Sequence, residues 1–125
     1  MKRDLVLVAE DDRDIRDLLH FALEDAGYQT VGARDGAAAA RILGSAHPVG
    51  LITDVRMPDM NGIDLCRLVR RTPAIGNTAI LMYSAGTHRY DVEAGLHAGA
   101  DRYLAKPFSP RRLVTELHEV INSRR

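Results

Sequence analysis

A chain of 125 residues is long enough to bury one sizeable core, so a single domain is expected. Apolar residues make up 46% and charged residues 27%, with a formal net charge of zero. That balance excludes a global basic field for nucleic acid or anionic membrane, and with it a stand-alone DNA binder, though not an adaptor for one.

Leu5 to Ala9 reads as a buried strand, too short and too quickly followed by acids to be a signal peptide. It runs into Glu10, Asp11 and Asp12, whose mutual repulsion costs stability unless something neutralises them. From Arg13 onward, Ile15, Leu18, Leu19, Ala22 and Leu23 share one helical face, with Gly27 as the stop signal. Asp12 is the expected N-cap of that helix, accepting a backbone N–H near Asp14 or Ile15. A short strand follows over 28–33, then a helix over 35–44 capped by Asp35 and ended by Gly44. Residues 49–54 form an apolar run that ends in Asp54, and the Pro, Asn and Gly of 56–62 mark a loop. The third helix is expected to turn Ile63, Cys66, Leu68 and Val69 inward. A fourth strand is predicted over 78–84, a fourth helix over 89–100, and a fifth strand over 101–106 that Pro107 stops. The last helix takes Ser109 as N-cap and Pro110 at its first position. No segment approaches the roughly 20 apolar residues of a membrane span. The lone Cys66 cannot close an internal disulfide, so a reducing cytoplasm is the expected location.

Short apolar strands alternating with helices indicate an α/β fold, a parallel sheet covered on both faces. Ligands of such sheets bind beyond the carboxyl ends of the strands, where strand order switches. The polar residues at those ends are Glu10 and Asp11, Asp54, Ser84, and Lys106, one of only two lysines with Lys2. The second strand ends in Val31, Gly32 and Ala33 without a polar group, as an edge strand would in the order 2-1-3-4-5.

Three converging carboxylates suit a hard divalent cation, Mg²⁺ above all. Zinc is disfavoured, because His20, His47, His88, His97 and His118 lack ligand spacing and are expected on the solvated surface. An ionised Asp beside a cation can attack phosphorus to give an aspartyl-phosphate. The transfer then needs alignment and neutralised equatorial oxygens, a task that Mg²⁺, the Lys106 ammonium and the Ser84 hydroxyl would share. There is no G-x-x-x-x-G-K-[ST] loop for ATP, and no G-x-S-x-G elbow to make Ser84 a hydrolase nucleophile. Singly, these residues read as a helix cap, a turn serine and a surface charge. Compatible groups from four strand ends in one corner are the specific signal.

The segments VAEDD, LITDVRMPDMNG, MYSAG and GADRYLAKPF stand in order and at fixed spacings. Through them the chain resembles, end to end, the receiver domain of two-component response regulators. The resemblance implies a flavodoxin-like (βα)5 fold, with residues 1–125 as a single receiver. It implies Mg²⁺-dependent phosphorylation of Asp54 by a sensor histidine kinase or phosphotransfer protein, in a switch and not a turnover enzyme. Asp11 would bind Mg²⁺ directly and Glu10 through water, joined by Asp54 and the backbone carbonyl of Arg56. Lys106 would pair with the phosphoryl group, and its bond to Pro107 would be cis. Ser84 would be the switch hydroxyl and Tyr103 the switch aromatic. On phosphorylation Ser84 would move toward the phosphate and Tyr103 would turn inward, reshaping the face of helix four, strand five and helix five.

Several positions depart from the family's commonest pattern. Glu10 replaces the more usual Asp. Arg56, two residues after the phosphoacceptor, is long enough to contact the phosphoryl group or impede attacking water, whereas Gly86 leaves the opposite side open. Tyr83 stands in place of an aliphatic residue and is expected to pack against a helix. In the branch whose receivers drive winged-helix transcription factors, dimers use charge pairs across the last elements. Here Asp91, Arg102, Arg112 and Glu116 reverse all four signs, so Asp91–Arg112 and Arg102–Glu116 would stay complementary in a sign-swapped homodimer. The alternative is solvated charges, since exposed ion pairs contribute only about 0–1 kcal/mol each. Two other functions compete. A Mg²⁺-dependent phosphatase with an aspartyl-phosphate usually carries a second Asp where Arg56 stands. A phosphorylation-independent scaffold is opposed by the intact site, but an intermediate phosphorelay carrier remains compatible with it. No DNA-binding or enzymatic segment follows the last helix before Arg125, as in a stand-alone or excised receiver.

Overall fold

The computed structural model describes residues 3–84 and 89–124, with the backbone alone for Arg89 and Tyr90. The strands are β1 (Leu5–Ala9), β2 (Gln29–Ala33), β3 (Gly50–Asp54), β4 (Ala79–Ser84) and β5 (Arg102–Ala105). The helices are α1 (Arg13–Asp25), α2 (Gly36–Ala46), α3 (Gly62–Arg70), α4 (Arg89–Ala98) and α5 (Pro110–Arg124). All strand pairs are parallel, in the order β2-β1-β3-β4-β5. This is the α/β fold and strand order anticipated from the strand ends.

Strand alternation sorts the core into two layers. Val6, Val8, Ile52, Leu81, Tyr83 and Leu104 pack against Leu19 and Leu23 of α1 and Leu113 and Leu117 of α5. Leu7, Leu51, Ile80 and Met82 face the other way, against Leu43 of α2 and Leu65, Cys66 and Val69 of α3. Among the described residues, no helix is long and apolar enough to cross a membrane.

The local signals were mostly sound. Asp12 caps α1 through N–H bonds from Asp14 at 2.9 Å and Ile15 at 3.2 Å. Gly27 follows that helix at φ +100°, a conformation that side chains disfavour. Asp35 caps α2, and the Arg112 N–H reaches the Ser109 hydroxyl at the start of α5. Two expectations need correction. Helix α2 passes through Gly44 to Ala46, and His47 takes the left-handed φ of 48° instead, because Pro48 is what halts the chain. Leu18 is 53% exposed and does not join the inward face of α1. In α3, Cys66 and Val69 are buried and Ile63 and Leu68 pack half-buried against the same core, as expected, and Leu65 joins them. A single 3-10 turn at Pro73–Ile75, unmarked by hydrophobic periodicity, connects α3 to β4.

Candidate functional site

The same alternation that builds the core also aims the site. Glu10, Asp54, Tyr83 and Lys106 lie two residues beyond the core residues Val8, Ile52, Leu81 and Leu104, and so continue their face to the carboxyl edge of the sheet. Ser84 follows Met82 onto the opposite face. Parallel register keeps the strand ends level: Asp54 lies opposite Tyr83, and Ser84 opposite Ala105. Gly62 lets the start of α3 close over the end of β3, for a Cβ there would stand 2.3 Å from the Asp54 carbonyl oxygen.

Carboxylate oxygens of Glu10, Asp11 and Asp54 all lie within 4.8 Å of one another, the one such acidic grouping among the described residues. Glu10 and Asp54 are buried and Asp11 is exposed. An all-oxygen donor set with one solvent-facing member fits a hard cation that keeps part of its water. A cavity lined by Asp11, Val55, Arg56, Met57, Pro58 and Asn61 opens beside it. The Lys106 Nζ stands 3.2 Å from Asp54 Oδ2 and 4.0 Å from Glu10 Oε1. Asp54 Oδ1 accepts the Arg56 backbone N–H at 3.1 Å. The Lys106–Pro107 peptide bond is cis.

On the opposite face, the buried Ser84 side chain lies against the Tyr103 hydroxyl. The half-buried Tyr103 ring abuts α4, where a Cβ on Gly95 would come within 3.1 Å of it. The two expected switch residues are therefore already in contact. The Tyr103 phenol is pushed up from its ordinary range, chiefly by burial.

Tyr83 is the residue that sequence reasoning undervalued. It does pack in the α1–α5 core, fully buried and against Phe108, ring centroids 4.9 Å apart. Its hydroxyl also donates to Glu10 Oε1, and Lys106 Nζ lies 5.1 Å from its ring centroid. The Asp12 N–H occupies the other Glu10 oxygen at 3.0 Å. Burial pushes the Glu10 carboxyl up from 4.5 to about 7, and burial followed by contact with Glu10 drives the Tyr83 phenol upward. The shared parity of residues 10 and 83 was the available signal.

The remaining candidates fall as follows. Arg56 turns its guanidinium toward Asp91 of α4, 3.6 Å away. Arg102 and Arg112 both reach Glu116 within the chain, at 3.3 and 2.9 Å. Of the expected dimer charges, Asp91 is thus held by Arg56 and Glu116 by its own neighbours. His20 is half-buried and bonded to Thr30 at 2.6 Å, not a solvated surface residue, and burial lowers its pKa. His118 contacts Tyr28 at 2.8 Å. His88 and Gly86 lie outside the described residues.

The family model of the response regulator receiver domain matches residues 6–118. The DNA-binding response regulator MtrA of Mycobacterium tuberculosis is 36% identical over 115 residues, 92% of this chain and 49% of that protein. The transcriptional regulatory protein GltR of Pseudomonas aeruginosa is 36% identical over 93% of this chain and 48% of its own length. The chain therefore spans about half the length of these curated relatives. Among solved structures, a putative response regulator from Chloroflexus aurantiacus superposes with a TM-score of 0.92 at 35% identity, covering 97% of this chain and 99% of that one. A chemotaxis response regulator of Vibrio cholerae gives 0.88 at 34% identity, covering 95% and 99%. The chain belongs to the receiver domain family of two-component response regulators, with the flavodoxin-like fold of that family.

Proposed function

We propose that Asp54 is the phosphoacceptor, receiving a phosphoryl group from a sensor histidine kinase or phosphotransfer protein in the cytoplasm. The observation that carries this reading is the Asp54–Lys106 contact at 3.2 Å beside two further carboxylates at adjoining strand ends. The Asp54 carboxylate attacks phosphorus as the phosphorus–nitrogen bond of the donor's phosphohistidine breaks. Lys106 holds one phosphoryl oxygen and the Ser84 hydroxyl donates to another. Glu10, Asp11 and Asp54, with the Arg56 backbone carbonyl, would hold Mg²⁺, which when bound supplies positive charge at the phosphoryl oxygens. The chain thereby promotes its own phosphorylation and dephosphorylation.

Movement of Ser84 toward the phosphoryl group takes it away from Tyr103 and alters the face of α4, β5 and α5 that a partner or output segment reads. A second copy of the chain is one such partner. It would dimerise by exchanging the charge pairs of Asp91, Arg102, Arg112 and Glu116, and a monomer by sedimentation both with and without a phosphate mimic excludes it.

Intact mass after incubation with a small phosphodonor and Mg²⁺ tests the central reading. One added phosphate is expected, and Asp54→Ala removes it. An unchanged mass for the unmodified protein, under conditions that phosphorylate other receivers, overturns the proposal.

A further inference from the structure

We infer that Tyr83 is a positioning residue of the acidic cluster, its hydroxyl fixing Glu10 for the cation and its ring seating Lys106. The inference rests on the metal and phosphoryl reading above and assigns a role to a residue outside that set. Glutamate carries one more methylene and one more free torsion than the aspartate usual at this position. A buried carboxylate with that freedom has more orientations to lose when it takes up its role. Two donors remove the freedom here: the Tyr83 hydroxyl on Oε1 and the Asp12 N–H on Oε2. Each carboxylate oxygen keeps a further lone pair for the water of a bound cation, so the grip orients Glu10 without consuming it. Groups that hold a ligand from behind in this way tune metal sites without touching the ion.

An aliphatic side chain at position 83 has no such donor, and an aspartate at position 10 would hold its carboxylate one methylene farther from the Tyr83 hydroxyl. Glu10 and Tyr83 thus form a matched pair. The ring does the second job. Lys106 rests 5.1 Å from its centroid, and Phe108 packs against it at 4.9 Å, on the segment that follows Lys106. Tyr83 therefore touches groups from β1 and from the end of β5, and sits between the acid and the lysine.

Tyr83→Phe separates the two jobs, since it keeps the ring and removes only the hydroxyl. Mg²⁺ titration followed by amide chemical shifts reads affinity without any phosphorylation. Thermal unfolding in EDTA reads stability separately. The expected result is a loss of Mg²⁺ affinity on the order of tenfold, which disappears when Tyr83→Phe is placed in a Glu10→Ala background. Unchanged affinity, or an equal loss in both backgrounds, overturns the assignment whatever happens to stability. A compensating pair gives an independent route if Tyr83→Phe does not fold. Tyr83→Leu should weaken Mg²⁺ binding, and adding Glu10→Asp should restore it; failure to restore overturns the matched pair. Asp11→Ala serves as the control on the underlying reading. If Mg²⁺ binds equally well without Asp11, the acidic cluster is not the cation site and both readings fall, whereas loss in Asp11→Ala without loss in Tyr83→Phe removes Tyr83 alone.

Discussion

Glu10 is where burial and charge conflict most directly. Its carboxyl is pushed from 4.5 to about 7, with burial the largest cause, and two hydrogen bonds only partly offset that effect. A folded-state pKa above the unfolded one means that the folded chain holds its proton over a range where the unfolded chain has released it. Between pH 4.5 and about 7 this makes stability fall as pH rises, opposite to the usual carboxylate, and the loss is complete above 7. Glu10→Gln removes the titration while retaining an acceptor for Tyr83. Urea midpoints in EDTA should show Glu10→Gln gaining on the unmodified protein by on the order of 2–3 kcal/mol between pH 5 and pH 8. A difference independent of pH would mean that Glu10 stays ionised throughout. Bound cation should flatten the difference by holding the carboxylate charged, so the same comparison in excess Mg²⁺ gives a weaker slope.

At the scale of an element, the start of α1 shows how one acidic run is divided between jobs. Asp12 spends its carboxylate on the N–H groups of Asp14 and Ile15, while its own N–H holds Glu10 Oε2. Asp12→Ala should therefore lower stability by about 1 kcal/mol, the usual worth of an N-cap, and leave Mg²⁺ affinity near that of the unmodified protein. Urea denaturation and a Mg²⁺ titration together check it, and a matching drop in affinity would make Asp12 a further ligand instead. The Asp12 cap was legible from the spacing alone, as were strand order and the convergence of Glu10, Asp11, Asp54 and Lys106. Cap chemistry and strand ends are local signals. The errors arose where tertiary context decides. Leu18 fits the helical stripe of α1, yet it borders an open groove with Ile15, Pro107 and Phe108 instead of the core. Gly44 looked like a stop, but nothing requires a left-handed residue until Pro48 blocks the chain. Tyr83 could be placed on the correct face by parity, whereas its bond to Glu10 depends on a pairing across two strands that no single segment encodes.

Across the whole molecule, the site and the anchor that steadies it lie at opposite ends of the sheet. Asp101, just before β5, accepts the Ile80 N–H at 2.8 Å, Arg70 at 3.1 Å and Arg124 at 2.7 Å. This one carboxylate ties α3, the start of β4 and the end of α5 together. Arg70 also reaches the carbonyls of Gly99, Gly76 and Thr78, so its position organises the loops on that side. The three charged side chains are 18–27% exposed, sheltered enough that removing the single acid leaves two guanidiniums facing each other without compensation. Burial already lowers the Arg70 pKa, with Arg124 adding to the effect. Asp101→Ala should cost roughly 2–3 kcal/mol, below the 3–5 typical of breaking a fully buried pair because water still reaches this one. Phosphate incorporation at Asp54 should remain complete at temperatures where the variant is folded, because Asp101 touches none of the groups at the carboxyl ends of the strands. Loss of incorporation in a variant that is still folded by circular dichroism would instead mean that the two ends of the sheet are mechanically coupled, with α5 as the connecting element.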